Sequence, residues 1–170
     1  MLRVSDSNTE LAGTILSMIK RCDIKRIQVY NQNFTEDEIK ILTKSGTLEV
    51  MEFSCVTIKK ADGSYLPFDN LIAMTPTLKE LKISPVTASP TTNQNLALIK
   101  KPVKFTLLDI DTYPNLRYPQ DFALFLKNNL APNAKLKITK ANYYVSVQET
   151  ISKWEPKNEK PALDWSDLRY

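Results

Sequence analysis

Asp109 and Asp111 stand two positions apart in a run that alternates apolar and acidic residues, Leu108, Asp109, Ile110, Asp111. Such alternation reads as a strand, so both carboxylates point to one face. Paired carboxylates can work as acid and base or hold a cation. Solvation, or pairing with neighbouring lysines, is the stronger reading. The other acidic cluster, Glu36-Asp37-Glu38, opens a helix-like segment. Acids there complement the helix dipole and need no metal to explain them. Cys22 and Cys55 form no Cys-x-x-Cys motif and read as reduced, buried core residues, a usage typical of the cytosol or nucleus. The chain contains no histidine. That removes the commonest general base, the commonest zinc ligand and every Ser–His or Cys–His pair. Gly13, Gly46 and Gly63 are the three glycines, and none belongs to a phosphate-cradling loop. These residues indicate a protein that is not an enzyme and has no catalytic, cofactor or metal site.

Composition bounds the partners. Of 170 residues, 42% are hydrophobic and 25% charged, which suits one globular domain. The net charge of +4 comes from 23 basic against 19 acidic residues. The basic residues are spread along the chain, and their nearest approach to a cluster is Lys135, Lys137 and Lys140. That argues for a solvated surface and against a nucleic-acid footprint. Tyr113, Tyr118, Tyr143 and Tyr144 keep RNA binding as the alternative function, since tyrosines stack on bases, although packing at strand ends explains them better. The longest apolar runs are of the length of Phe122–Leu126, too short to cross a membrane. Met1–Glu10 is polar and carries acids, unlike a secretory signal. A cytoplasmic or nuclear location and no membrane partner are expected.

The elements that would position these residues emerge from a repeat. An apolar-x-x-apolar-x-apolar pattern occurs at Ile24, Ile27, Val29, at Leu48, Met51, Phe53, at Leu78, Leu81, Ile83 and at Phe105, Leu108, Ile110. Ala134, Leu136 and Ile138 form a weaker fifth copy. The first four copies start 24, 30 and 27 residues apart. Each ends in the period-2 alternation of a half-buried strand. Helix-like segments intervene. Thr35 and Glu38 form a capping box ahead of Ile39, Ile41 and Leu42, and Gly46 is a helix stop. Pro67–Met74, Asn93–Lys100 and Pro119–Leu130 follow, Asn8–Arg21 precedes the first strand, and Ser146–Trp154 reads as a last short helix.

Helices alternating with strands favour a parallel sheet. A period near 27 with these strands predicts an α/β leucine-rich-repeat-like arc, with neighbours stacking to make the core. Gln32, Val56, Val86 and Tyr113 fill the places where such repeats carry Asn or Cys, so no asparagine ladder is expected. A three-layer α/β sandwich is the alternative. Residues 1–154 read as one repeat domain and 155–170 as a tail or cap carrying Trp165, with Trp154 at the boundary. Ser84–Asn95, with Pro85 and Pro90 among Ser and Thr, reads as a surface loop.

The run Phe34-Thr35-Glu36-Asp37-Glu38-Ile39, then Leu42, then Gly46-Thr47-Leu48-Glu49, resembles the FTH domain of nematode F-box proteins. The resemblance extends from about Leu11 to Ser84 and departs at Met74-Thr75-Pro76-Thr77, where the family often has Gln-Trp-Lys. It implies a divergent leucine-rich-repeat module that binds the substrate of a ubiquitin-ligase receptor. An F-box needs more helical sequence than the leading residues hold, so the expectation is a domain cut from a longer protein or a relative without the F-box. The ligase adaptor is a partner only if an F-box precedes this chain.

The residues alternating with the apolar anchors define the expected binding face for a protein partner of unidentified kind. They are Arg26, Gln28, Tyr30; Val50, Glu52, Ser54; Glu80, Lys82, Ser84; Leu107, Asp109, Asp111; and Lys135, Lys137, Thr139. In parallel neighbouring strands they would form one surface of mixed charge, better suited to a protein than to a phosphate backbone. Within it, Arg26, Gln28, Tyr30, Glu52, Glu80, Lys82, Asp109, Lys135 and Lys137 are the candidate contacts.

Overall fold

The computed structural model describes residues 1–5, 8–18, 22–111, 119–139, 144–155 and 160–163. The chain runs β1 (Leu2–Ser5), α1 (Leu11–Ser17), β2 (Arg26–Tyr30), β3 (Asn33–Thr35), α2 (Glu36–Thr43), β4 (Val50–Ser54) and β5 (Thr57–Lys59). It continues through α3 (Phe68–Ala73), β6 (Glu80–Ser84), α4 (Thr92–Leu98), β7 (Phe105–Asp111), α5 (Pro119–Asn129), β8 (Leu130–Thr139), α6 (Tyr144–Ser152) and β9 (Ala162–Leu163). Seven strands form one sheet in the order β1-β2-β4-β6-β7-β8-β9, and each pairs in parallel with the next. The parallel pair β3 and β5 makes a separate small sheet.

Period-2 patterning produces this sheet. Val4, Ile27, Val29, Met51, Phe53, Leu81, Ile83, Leu108, Ile110, Leu136 and Ile138 are buried on one face. They share a core with Ile39 and Leu42 of α2, Leu71 and Ile72 of α3, Leu96 of α4, and Phe122, Phe125 and Leu126 of α5. Neighbouring helices α1 with α2, and α3 through α6 in turn, pack on one another. The described residues thus form a helical layer over one face of the sheet. Among the described residues, the opposite face is half-buried or exposed from β2 to β8, unlike the covered faces of a three-layer sandwich.

Backbone bonds at the two strand ends fix the register. Lys25 C=O accepts from the N–H groups of both Glu49 and Val50, at 2.8 and 2.9 Å. Glu49 C=O accepts from Lys79 and Glu80, and Lys79 C=O from Thr106 and Leu107. At the other end Asn31 and Cys55 take φ of 53° and 55°, and their N–H groups donate to Ser54 and Ser84 C=O. The chain then turns inward, so Gln32, Val56 and Val86 are buried. Gln32 does by side chain what an asparagine ladder does, donating from Nε2 to Asn8 C=O at 2.8 Å. The fourth such position, Tyr113, lies outside the described residues.

The expected capping box is present. Thr35 Oγ1 accepts from Glu38 N–H, and the Glu38 carboxylate accepts from Thr35 N–H at 2.7 Å. Gly46 follows α2 at φ 67°, a conformation that favours glycine. Two buried polar groups tie later helices together. Asp69 on α3 accepts from Thr92 Oγ1 and Asn95 Nδ2, both at 2.7 Å. Asn129, closing α5, accepts from Lys101 N–H and donates to Ile99 and Phe125 C=O.

Several expectations are corrected. Both cysteines are free, but only Cys22 is buried and Cys55 is exposed. The apolar alternation of Met51 and Phe53 ends at Ser54, because Cys55 adopts positive φ and starts the turn. The segment Ser84–Asn95 is not loop throughout, since α4 begins at Thr92. Strands β1, β3, β5 and β9 were not anticipated, and β9 carries the tail into the main sheet. Trp154 is buried, whereas Trp165 lies outside the described residues.

Candidate interaction face

The uncovered face of the sheet is organised in three rows that cross the strands. The first row runs Arg26, Val50, Glu80, Leu107, Lys135. The second runs Arg3, Gln28, Glu52, Lys82, Asp109, Lys137. The third runs Ser5, Tyr30, Ser54, Ser84 and is extended by Asp111, whose Oδ2 accepts from Ser84 Oγ at 2.9 Å. All nine candidate contact residues lie on this face. Asp111 pairs in register with Thr139 of β8.

Charges in the middle of the face compensate one another. Glu52 lies 3.7 Å from Arg26 and 4.0 Å from Lys82, and it accepts from Gln28 Nε2 at 2.8 Å. Arg26 also lies 3.9 Å from Glu80. Pairs this exposed contribute little stability, up to about 1 kcal/mol each. Their effect is to make the centre of the face close to neutral. At the strand starts, just outside this face, Glu49 bridges Lys25 and Lys79. The Lys79 ammonium, hydrogen-bonded at 2.9 Å, holds the Glu49 carboxyl below its usual range.

Two shallow depressions open on the second and third rows. One, of about 290 Å³, is lined by Arg3, Ser5, Gln28, Tyr30, Glu52 and Ser54. The other, of about 310 Å³, is lined by Ser54, Lys82, Ser84, Asp109, Asp111 and Lys137. Ser54 lies between them and lines both. Tyr30 stands 54% exposed at the first, a rigid aromatic contact of the kind enriched in binding surfaces.

Comparison of the chain with protein families, curated proteins and solved structures finds no match.

Asp109 and Asp111 do share one face, as the alternation required, with Lys82 and Lys137 beside them in the same depression. Among the described residues no group of three or more Cys, Asp or Glu is placed to hold a metal ion. No described helix is long and apolar enough to cross a membrane. Tyr113, Tyr118, Tyr143 and Lys140 lie outside the described residues. Sequence reading missed Arg3 and Ser5 because β1 was missed. The signal was present in Leu2-x-Val4, which repeats the alternation of its register partners Ile27 and Val29.

Proposed function

We propose that this chain is a non-catalytic protein-interaction domain, a leucine-rich-repeat-like arc that holds its partner on the open sheet face. The observation that carries the reading is the joint register of β2, β4, β6, β7 and β8. It brings Arg26, Gln28, Glu52, Glu80, Lys82, Asp109, Lys135 and Lys137 onto one surface, which carries two depressions among the described residues. Strand order that follows chain order is what stacked repeats produce, and such stacks present extended surfaces to extended partners. The resemblance of Phe34–Glu49 to the FTH domain fits the same reading and makes the partner the substrate of a ubiquitin-ligase receptor. Glu52, Glu80, Asp109 and Asp111 interrupt the basic residues of the face, which disfavours a phosphate backbone as ligand.

The test places a photo-crosslinking amino acid at Tyr30 on the open face and, separately, at Leu124, an exposed position on the helical layer. A second pair of proteins carries charge reversals at Arg26, Glu52, Lys82 and Asp109. The expected result is an adduct from Tyr30 that the reversals abolish without changing the melting temperature. Adducts from Leu124 alone, or adducts from Tyr30 that survive the reversals, would overturn the proposal.

A further inference from the structure

Among the charged side chains of the open face, Arg26, Glu52, Glu80 and Lys82 form ion pairs with one another, and Asp111 accepts a hydrogen bond from Ser84. Asp109 and Lys137 are also partnered. Among the described charged residues of this face, Arg3 and Lys135 alone have no ion pair or hydrogen bond from their side chains. Both are cations and both are exposed. They stand far apart on the face, Arg3 on the edge strand β1 and Lys135 on β8, beside the short β9.

From these positions, and resting on the open-face reading above, we infer that the partner is an acidic polypeptide segment lying across the strands. One of its carboxylates meets Arg3 and a second meets Lys135. The stretch between them is neutral and polar, and crosses the self-compensated centre. The spacing follows from the fold. Five inter-strand steps separate β1 from β8 in the sheet order β1-β2-β4-β6-β7-β8, which gives about 24 Å at about 4.8 Å per step. Arg3 and Lys135 are also offset by two residues along the strands, so the separation is roughly 25 Å. An extended peptide rises about 3.3 Å per residue, and side chains an even number apart share a face. Carboxylates roughly eight residues apart, about 26 Å, therefore reach both cations from one side. A continuous polyanion fits less well. It would lay like charge over Glu52, Glu80 and Asp109, and such juxtapositions disfavour a partner. The overall charge of +4 draws acidic partners in general, and the two unpaired cations give that attraction a register.

The guanidinium of Arg3 can hold a carboxylate through two parallel hydrogen bonds, whereas the Lys135 ammonium acts as a point charge. Loss of Arg3 should therefore weaken binding more than loss of Lys135.

The probes are fluorescein-labelled peptides of Ser, Thr, Asn and Gly carrying two glutamates, spaced eight residues apart in one and four in the other. A uridine oligonucleotide serves as the phosphate probe. Fluorescence polarisation is read with the whole chain at low salt. The eight-residue spacing is expected to bind about tenfold tighter than the four-residue spacing, because its second contact is intramolecular. Arg3→Glu and Lys135→Glu should each erase that difference, and the double variant should prefer a peptide with two lysines at the same spacing. Both sites are exposed, so unchanged melting temperatures serve as the folding control. Equal affinity for both spacings would overturn the inference, as would insensitivity to the reversals. Tighter binding of the oligonucleotide through the same two cations would overturn it in favour of a phosphate ligand. If Tyr30 still crosslinks a partner while the peptides show no spacing preference, the open face stands as the site and this account of its occupant falls.

Discussion

The Lys101 ammonium donates to the main-chain carbonyl of Thr75 and lies 4.6 Å from the centre of the Phe105 ring. Lys101 is only 8% exposed, and burial pushes its pKa down to about 8. Between about pH 8 and pH 10.5 the unfolded chain keeps a proton that the native state has released. Native stability should therefore rise with pH through that window, by up to about 3 kcal/mol, and below pH 8 the full cost of the buried charge is felt. Lys101→Met should raise the melting temperature at pH 7 and flatten this rise. Urea titrations of both proteins at pH 7 and pH 10 decide the matter. A wild-type stability that falls over the window would contradict the burial of this charge.

Asn129 is fully buried, and its side chain satisfies one N–H and two carbonyls where α5 meets the preceding segment. Asn129→Leu keeps the volume close but leaves those three backbone groups without that partner. A loss of about 2–4 kcal/mol is expected, because unsatisfied buried groups cost more than the bonds they made. Equilibrium unfolding in urea measures it, and a loss below about 1 kcal/mol would mean that water reaches the site.

Gly13 on α1 faces the carboxylate of Glu38, which is held in the capping box by Thr35 N–H. A methyl group there would meet Glu38 Oε1, so Gly13→Ala can be accommodated only by displacing the cap. The capping bond is worth about 1 kcal/mol, and the gain in helix propensity from Gly to Ala is of similar size and opposite sign. Gly13→Ala should thus be near neutral or destabilising in the native sequence. In an Glu38→Ala background, where the obstruction is gone, it should stabilise by about 0.5–1 kcal/mol. A double-mutant cycle with additive energies would show that the two residues do not interact.

Cys55 is exposed at a turn, whereas Cys22 lies in the core at 5% exposure. A thiol reagent such as iodoacetamide should modify Cys55 in the folded protein and Cys22 only after denaturation. Peptide mass mapping of the alkylated protein reads the outcome. Equal labelling of both in native buffer would place Cys22 outside the core.

What the sequence disclosed depends on how many independent signals coincide at each element. Strands β2, β4, β6 and β7 were legible because alternation and a recurring interval agree, and a period of two then fixes which side chains share a face. Arg26, Glu52, Lys82 and Asp109 were placed correctly for that reason. Strands β3 and β5 each bury a single residue, Phe34 or Ile58, which no pattern separates from a loop. Cys55 was misread because its neighbours continue an apolar alternation. Its positive φ is ordinary for the equivalent Asn31 but is signalled by nothing in a cysteine. Arg3 was missed with the short strand that carries it. Lys101 and Asn129 were invisible because the groups their side chains bond, Thr75 C=O for the one and Lys101 N–H and Ile99 C=O for the other, lie 26 to 30 residues away in the chain.

From β2 to β9, each strand of the main sheet pairs with the strand made before it, at offsets between 24 and 30 residues from β2 to β8. During synthesis, each new strand therefore finds its template already present upstream and waits for nothing downstream. Folding can then keep pace with the ribosome, one helix and one strand at a time, on chains made at roughly 5–20 residues per second. The growing edge is always the newest strand of this sheet, while β1, made first, keeps the other edge throughout.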